Sequence, residues 1–179
     1  MVMRQVLFLD IDGVLHRGNA YRTPGGVVSS APGQIELFEY AGVLDELLQP
    51  YPAVEIVLST DWALTLGLEY TRASLPLATL RDRVSEATYY GNKFHDAVWP
   101  LLPRGAQVLD YVARRSLTSW LAVDDRTDGF EAHRDRLVHC QSEVGLGDPA
   151  VVELFRLRLQ SVFSQSFTEV AGERTTPSR

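Results

Sequence analysis

Asp10 and Asp12 stand one residue apart at the end of the apolar run "QVLFLDI", and Gly13 follows at once. A run of this kind reads as a buried strand, where paired negative charge is costly unless something compensates it. Two other apolar runs also end in reactive groups. "AVEIVLST" closes on Ser59 and Thr60 with Asp61 next, and "SWLAVDD" closes on Asp124 and Asp125. Strands lying side by side would bring Asp10, Asp12, Asp124 and Asp125 together with two hydroxyls in one crevice. Like charges that close raise one another's pKa, and a divalent cation would offset them. An all-oxygen donor set suits Mg²⁺, which characteristically takes a few carboxylates, water and a substrate phosphate oxygen. Beside such an ion one carboxylate can attack phosphorus and form an acyl phosphate. Residues i and i+2 of a strand point the same way, so Asp10 and Asp12 can divide the work of nucleophile and proton carrier. Gly13 lets the backbone turn away tightly.

These residues need a scaffold that aligns strand ends, and the rest of the chain has that pattern. After the first strand, "HRGNAYRTPGGVVSSAPGQ" reads as a polar loop and "IELFEYAGVLDELLQ" as an amphipathic helix. The second strand is followed by "WALTLGLEYTRASLPLATLRDRV", which reads as helices broken near Pro76. "PRGAQVLDYVARR" reads as a helix with Pro103 near its start, followed by the strand "SWLAVDD". "RLVHCQ" is a weaker strand, and "PAVVELFRLRLQSVF" is a closing helix after the "GLGD" turn. Alternating strand and helix predicts an α/β fold, a three-layer Rossmann-like arrangement with a mainly parallel sheet and helices on both faces. In such sheets sites form beyond the carboxyl ends of the strands, where neighbouring connections leave in opposite directions.

Composition narrows the class. The chain has 179 residues, 45% of them hydrophobic and 22% charged, as expected of one globular domain. The predicted domain spans 1–169, with a flexible flap at 16–34 and a disordered tail at 170–179. A net charge of −6 argues against a general nucleic-acid-binding surface. One cysteine, Cys140, leaves no intrachain disulfide framework and reads as a small buried hydrophobe. No run reaches the roughly 18 apolar residues of a membrane span, and no signal-peptide pattern is evident, so a cytoplasmic location is expected.

"FLDIDGVLH" resembles motif I of the haloacid dehalogenase (HAD) superfamily, "EIVLSTDW" its motif II and "WLAVDD" its motif IV, in the family's order. The wording is similar to small capless HAD-like domains, some associated with RNA-repair proteins, in which a tryptophan (here Trp62) follows the second strand and motif IV is a double aspartate. The resemblance implies a phosphatase working through an aspartyl-phosphate with Mg²⁺. Asp10 would be nucleophile and metal ligand, and Asp12 the general acid/base, lending its backbone carbonyl to the metal. Ser59 would hold the phosphoryl group, with Thr60 the alternative if the register shifts by one. Asp125, or Asp124 beside it, would complete the metal shell, with Asp128 a weaker candidate. For the motif III cation Arg104 is preferred to Lys93, the chain's single lysine.

Several residues have plainer readings. Asp61 reads as a helix cap, and "TDWA" as a simple N-cap. The four histidines lack ligand spacing, although His16 follows motif I closely enough to sit over the site. Trp99 and Trp120 read as packing residues, and Arg114 with Arg115 as a solvated helix end. Neither interval that could hold a cap is long enough for a separate folded one, so the cap is absent or minimal. An open site would admit a phosphorylated small molecule or polymer end. The alternative to an enzyme is a catalytically weak domain that binds a phosphorylated ligand or partner protein.

Overall fold

The computed structural model describes residues 3–164, and every count or absence below refers to them. The first apolar run forms β1 (Gln5–Leu9). A hairpin of β2 (Ala20–Thr23) and β3 (Gly26–Ser29) follows, then α1 (Ala41–Leu48) and β4 (Val54–Leu58). Three short helices come next, α2 (Asp61–Leu66), α3 (Leu68–Ser74) and α4 (Ala78–Arg83), ahead of β5 (Val84–Ala87). The chain continues through α5 (Arg104–Arg115), β6 (Ser119–Asp124), β7 (Leu137–His139) and α6 (Pro149–Phe163). No helix is long and apolar enough to cross a membrane.

Five strands pair in the order β5-β4-β1-β6-β7, all parallel. This is the predicted three-layer α/β arrangement. β1 is central because its apolar side chains point alternately to two buried faces. Val6 and Phe8 join Val57, Trp120 and Ala122 on one face, covered by Val108 and Tyr111 of α5. Leu7 and Leu9 join Ile56, Leu58, Leu121 and Val123 on the other, covered by α1 and α6 through Leu44, Leu48, Phe155 and Leu159. Each such side chain contributes about 1.5–3 kcal/mol when fully buried.

The connection after β1 leads toward β4, whereas the one after β6 leads to β7 on the opposite side. The β1/β6 boundary is therefore the switch point of the sheet. Register fixes what meets there. Leu9 is opposite both Leu58 and Val123, so Asp10, Ser59 and Asp124 leave the sheet at one level. Hydrogen bonds carry this alignment one residue further, with Asp10 N–H donating to the Val123 carbonyl (3.1 Å) and Ser59 N–H to that of Leu9 (2.8 Å).

Three local features differ from the sequence reading. The stretch 16–34 contains the β2–β3 hairpin where a polar loop was expected. Its residues are mostly half or fully exposed, so they lack the apolar alternation that marks a strand. The helix expected from Ile35 begins six residues later, at Ala41. Phe38 adopts φ +60°, which no helix continues through. Finally, β5 starts at Val84, the last residue of the stretch that reads as helical, and its remaining three residues carry no element in the sequence reading; four residues are too few to show a period. Residues 165–179 lie outside the described residues, and with them the expected tail 170–179 and the last part of the predicted 1–169 domain.

Candidate active site

The carboxyl ends of β1, β4 and β6 place the sequence-predicted acids around one small cavity of about 170 Å³, lined by Asp10, Asp12, Thr60, Arg104, Asp125 and Arg126 among others. Asp10 and Asp124 are almost completely buried and Asp125 partly so. One carboxylate oxygen from each of these three lies within 4.8 Å of the others. Asp125 is brought in by Gly13, whose φ of +71° few other residues adopt; a Cβ there would run into Asp125 Oδ2 and, at 2.8 Å, into Ser142 Oγ.

Arg104 enters from the first turn of α5 and is 4% exposed. Its guanidinium lies 3.3 Å from Asp124, 3.7 Å from Asp61 and 4.0 Å from Asp10. These are charge contacts and not full hydrogen bonds: Nε meets no acceptor with hydrogen-bond geometry among the described residues. Burial works against the arginine's charge, but Asp10 and Asp124 outweigh it and hold its pKa above the ordinary value. The helix is seated by Asp128, whose Oδ2 accepts from Arg104 N–H (3.1 Å). No Cβ fits at Gly105, where the Gly129 backbone presses against the helix. Asp128 is therefore engaged in anchoring α5 and in a two-point pair with Arg126 (2.9 and 2.6 Å), and lies outside the three-acid cluster.

One arginine does not balance the cluster. Burial, and next the charge of Asp124, hold Asp10 well above the usual carboxylate range. Burial pushes Asp124 up to about 7, against the pull of Arg104 and of the Arg126 N–H bonded to its Oδ1 at 2.9 Å. Three hard oxygen donors converging with excess negative charge are a fit for a divalent cation such as Mg²⁺.

Asp12 has different surroundings. Its side chain is 27% exposed and stands outside the three-acid cluster. The Trp62 indole N–H contacts both its oxygens at 3.2 Å, and His16 Nε2 lies 2.9 Å from Oδ1. Trp62 comes from the first turn of α2, whose N-cap is Thr60 and not Asp61: the Thr60 hydroxyl accepts from Trp62 N–H at 3.4 Å. Ser59 lies on the same face of the sheet as Asp10 and Asp124, and its buried hydroxyl has no partner among the described residues. Thr60 lines the cavity, whereas Ser59 is buried and is not among the lining residues.

The two motif III candidates are placed very differently. Arg104 touches the acids, while Lys93 is exposed in the segment between β5 and α5. Cys140 is buried directly after β7, its N–H donating to the Asp124 carbonyl, and burial pushes its thiol up to about 12, consistent with a packing role. Sequence reasoning gave no role to Arg126 or Asn19, both on the cavity wall, and nothing in their local pattern marks them. It gave His16 only proximity, although the i,i+4 spacing from Asp12 across the turn at Ile11–Leu15 was a usable signal.

A parallel sheet with acids at its switch point, a glycine-led turn after the first strand and a buried cation from the opposing helix define a HAD-like α/β domain. Comparison of the sequence with known families agrees. The chain belongs to the family described as HAD domain in Swiss Army Knife RNA repair proteins, which matches residues 6–151. No curated protein and no solved structure matches it significantly.

Proposed function

We propose that this domain is a Mg²⁺-dependent phosphatase that works through an aspartyl-phosphate on Asp10. The observation that carries the reading is the convergence of Asp10, Asp124 and Asp125 oxygens within 4.8 Å beside the buried Arg104. Asp10, Asp124 and Asp125, with the Asp12 backbone carbonyl, would hold the ion. Bound there, Mg²⁺ supplies charge neutralisation for the carboxylates and the phosphoryl oxygens.

In the first half-reaction an Asp10 oxygen bonds to phosphorus as the ester P–O bond breaks, and Asp12 gives its proton to the departing oxygen. In the second, Asp12 takes a proton from water, which bonds to phosphorus and displaces Asp10. Arg104 offers fixed positive charge to the transferring group, and a planar guanidinium does this with defined geometry. Ser59, or Thr60 beside it, donates a hydroxyl to a phosphoryl oxygen. A cavity of about 170 Å³ takes a phosphoryl group and little more, so the rest of the substrate lies outside it. That supports a phosphorylated small molecule or a polymer end. The proposed setting is cytoplasmic, in keeping with a single cysteine in the chain.

The test is phosphate release from p-nitrophenyl phosphate with Mg²⁺ and with EDTA, in wild type and Asp10→Asn. Release that needs Mg²⁺ and is lost in the variant is expected, and equal rates in the two proteins overturn the reading. A panel of nucleotides, sugar phosphates, phosphopeptides and 5′- or 3′-phosphorylated oligonucleotides then finds the substrate class.

A further inference from the structure

Asp12 is gripped unequally at its two oxygens. Oδ1 receives His16 Nε2 at 2.9 Å and Trp62 Nε1 at 3.2 Å, whereas Oδ2 receives the Trp62 N–H alone at 3.2 Å. The His16 tautomer follows from its other side: Phe38 N–H points at Nδ1 (3.3 Å), so the ring proton sits on Nε2 and is donated to Asp12. His16 is completely buried and Trp62 5% exposed, and the Phe38 ring meets both edge-on at 5.7 and 5.5 Å. Phe38 holds this place with φ +60°, a left-handed conformation unusual for a bulky residue and found where the surroundings enforce it. His16 and Trp62, with Phe38 packed against both, therefore hold a carboxylate that also lines the cavity.

We propose that Trp62 and His16 are positioning residues, which anchor Oδ1 of Asp12 so that Oδ2 is the oxygen that gives the proton to the leaving group and later takes one from water. The inference rests on the phosphatase reading of the site. Neither side chain transfers the proton: His16 meets Oδ1 alone, and the Trp62 N–H bridges the two oxygens of the carboxyl. They act by preventing rotation of the carboxyl, and proton transfer is sensitive to that angle.

The effect is separable from general damage by comparing two esters. p-Nitrophenolate leaves without help, whereas the alkoxide of an alkyl phosphate needs the proton. In Trp62→Phe, which keeps an aromatic ring and loses the N–H, kcat/KM for the alkyl ester falls about tenfold more than kcat/KM for p-nitrophenyl phosphate, with KM for both little changed. His16→Leu shows the same skew, and His16→Gln, which restores an N–H donor, recovers most of it. Equal losses on both esters, or a loss confined to KM, overturn the proposal. If wild-type protein hydrolyses neither ester, the phosphatase reading fails on its own, and the anchoring is then read by NMR. The Trp62 indole N–H resonance should be slow to exchange and should move in Asp12→Asn; a fast-exchanging resonance that ignores the substitution overturns the anchoring itself.

Discussion

Asp10 and Asp12 are separated by one residue and chemically identical, yet the fold gives them unlike surroundings. Asp10 is 4% exposed, pressed against Asp124 and faced by a guanidinium. The Asp12 side chain is 27% exposed, stands outside the three-acid cluster, and is held by two ring N–H groups. The first environment stores repulsion that a divalent cation would relieve, and in the proposed reaction it would present one carboxylate oxygen to phosphorus. The second fixes an angle and leaves a path to water. On the proposed reading, environment and not residue type divides the labour between these paired acids.

The sharpest way to break this comparison is to neutralise each acid in turn. Asp10→Asn should reduce turnover by about 10⁴-fold or more, with no phosphoenzyme detectable after acid quench. Asp12→Asn should cost about 10²–10⁴-fold and still form phosphoenzyme from p-nitrophenyl phosphate. Phosphoenzyme in the first variant and none in the second would reverse the assignment. Next in size is Arg104→Met, which leaves the buried acids uncompensated. Urea unfolding of the metal-free protein should show a loss of about 3 kcal/mol, and addition of Mg²⁺ should restore part of it.

The dry acids also set a pH dependence. Asp124 has a folded pKa of about 7, above the roughly 3.9 of an unfolded aspartate. Between those values the folded state binds more protons, so its contribution to stability is full below about pH 4 and is lost as pH rises to about 7. Mg²⁺ held by this cluster would favour the deprotonated form and offset the loss. The Mg²⁺-induced rise in Tm should therefore be larger at pH 7.5 than at pH 5.5, and Asp124→Asn should flatten the difference. An equal rise at both pH values in wild type would separate the metal from this cluster.

The smallest effects come from the neighbouring hydroxyls. Thr60→Val removes a helix cap and should cost about 1 kcal/mol in urea unfolding. Ser59→Ala removes a hydroxyl with no partner and should change stability by less than about 0.5 kcal/mol. It should nevertheless lower kcat/KM about tenfold, the value of one hydrogen bond to the phosphoryl group. A kinetic loss in Thr60→Val alone would transfer that role to Thr60.

The strands that build the site were legible because their signal is local and strong. β1 and β6 carry unbroken apolar stretches, Val6–Leu9 and Trp120–Val123, and β4 is interrupted only by Glu55, so the strand ends mark themselves in the sequence. What escaped was set by tertiary context. The β2–β3 hairpin has no buried face of its own to impose a period, and β5 owes its strand conformation to pairing with β4. Phe38 ends any helix before Ala41 through a backbone angle that the sequence does not announce. Within the site, the acids and Arg104 were readable from type and position. The grip of Trp62 on Asp12 was not, because it depends on how α2 turns away from β4.

The strand order has a consequence for biosynthesis. β1 is flanked by β4 and β6, which begin at Val54 and Ser119. While a ribosome is still making the chain up to α5, one edge of this apolar central strand has no neighbour, and the acids have neither Asp124 nor Asp125 beside them. Such an edge invites mispairing, and its late closure over more than a hundred residues is a slow, long-range step. Stalling translation between Arg104 and Ser119 should accordingly leave the nascent chain more dependent on chaperones than stalling it past His139.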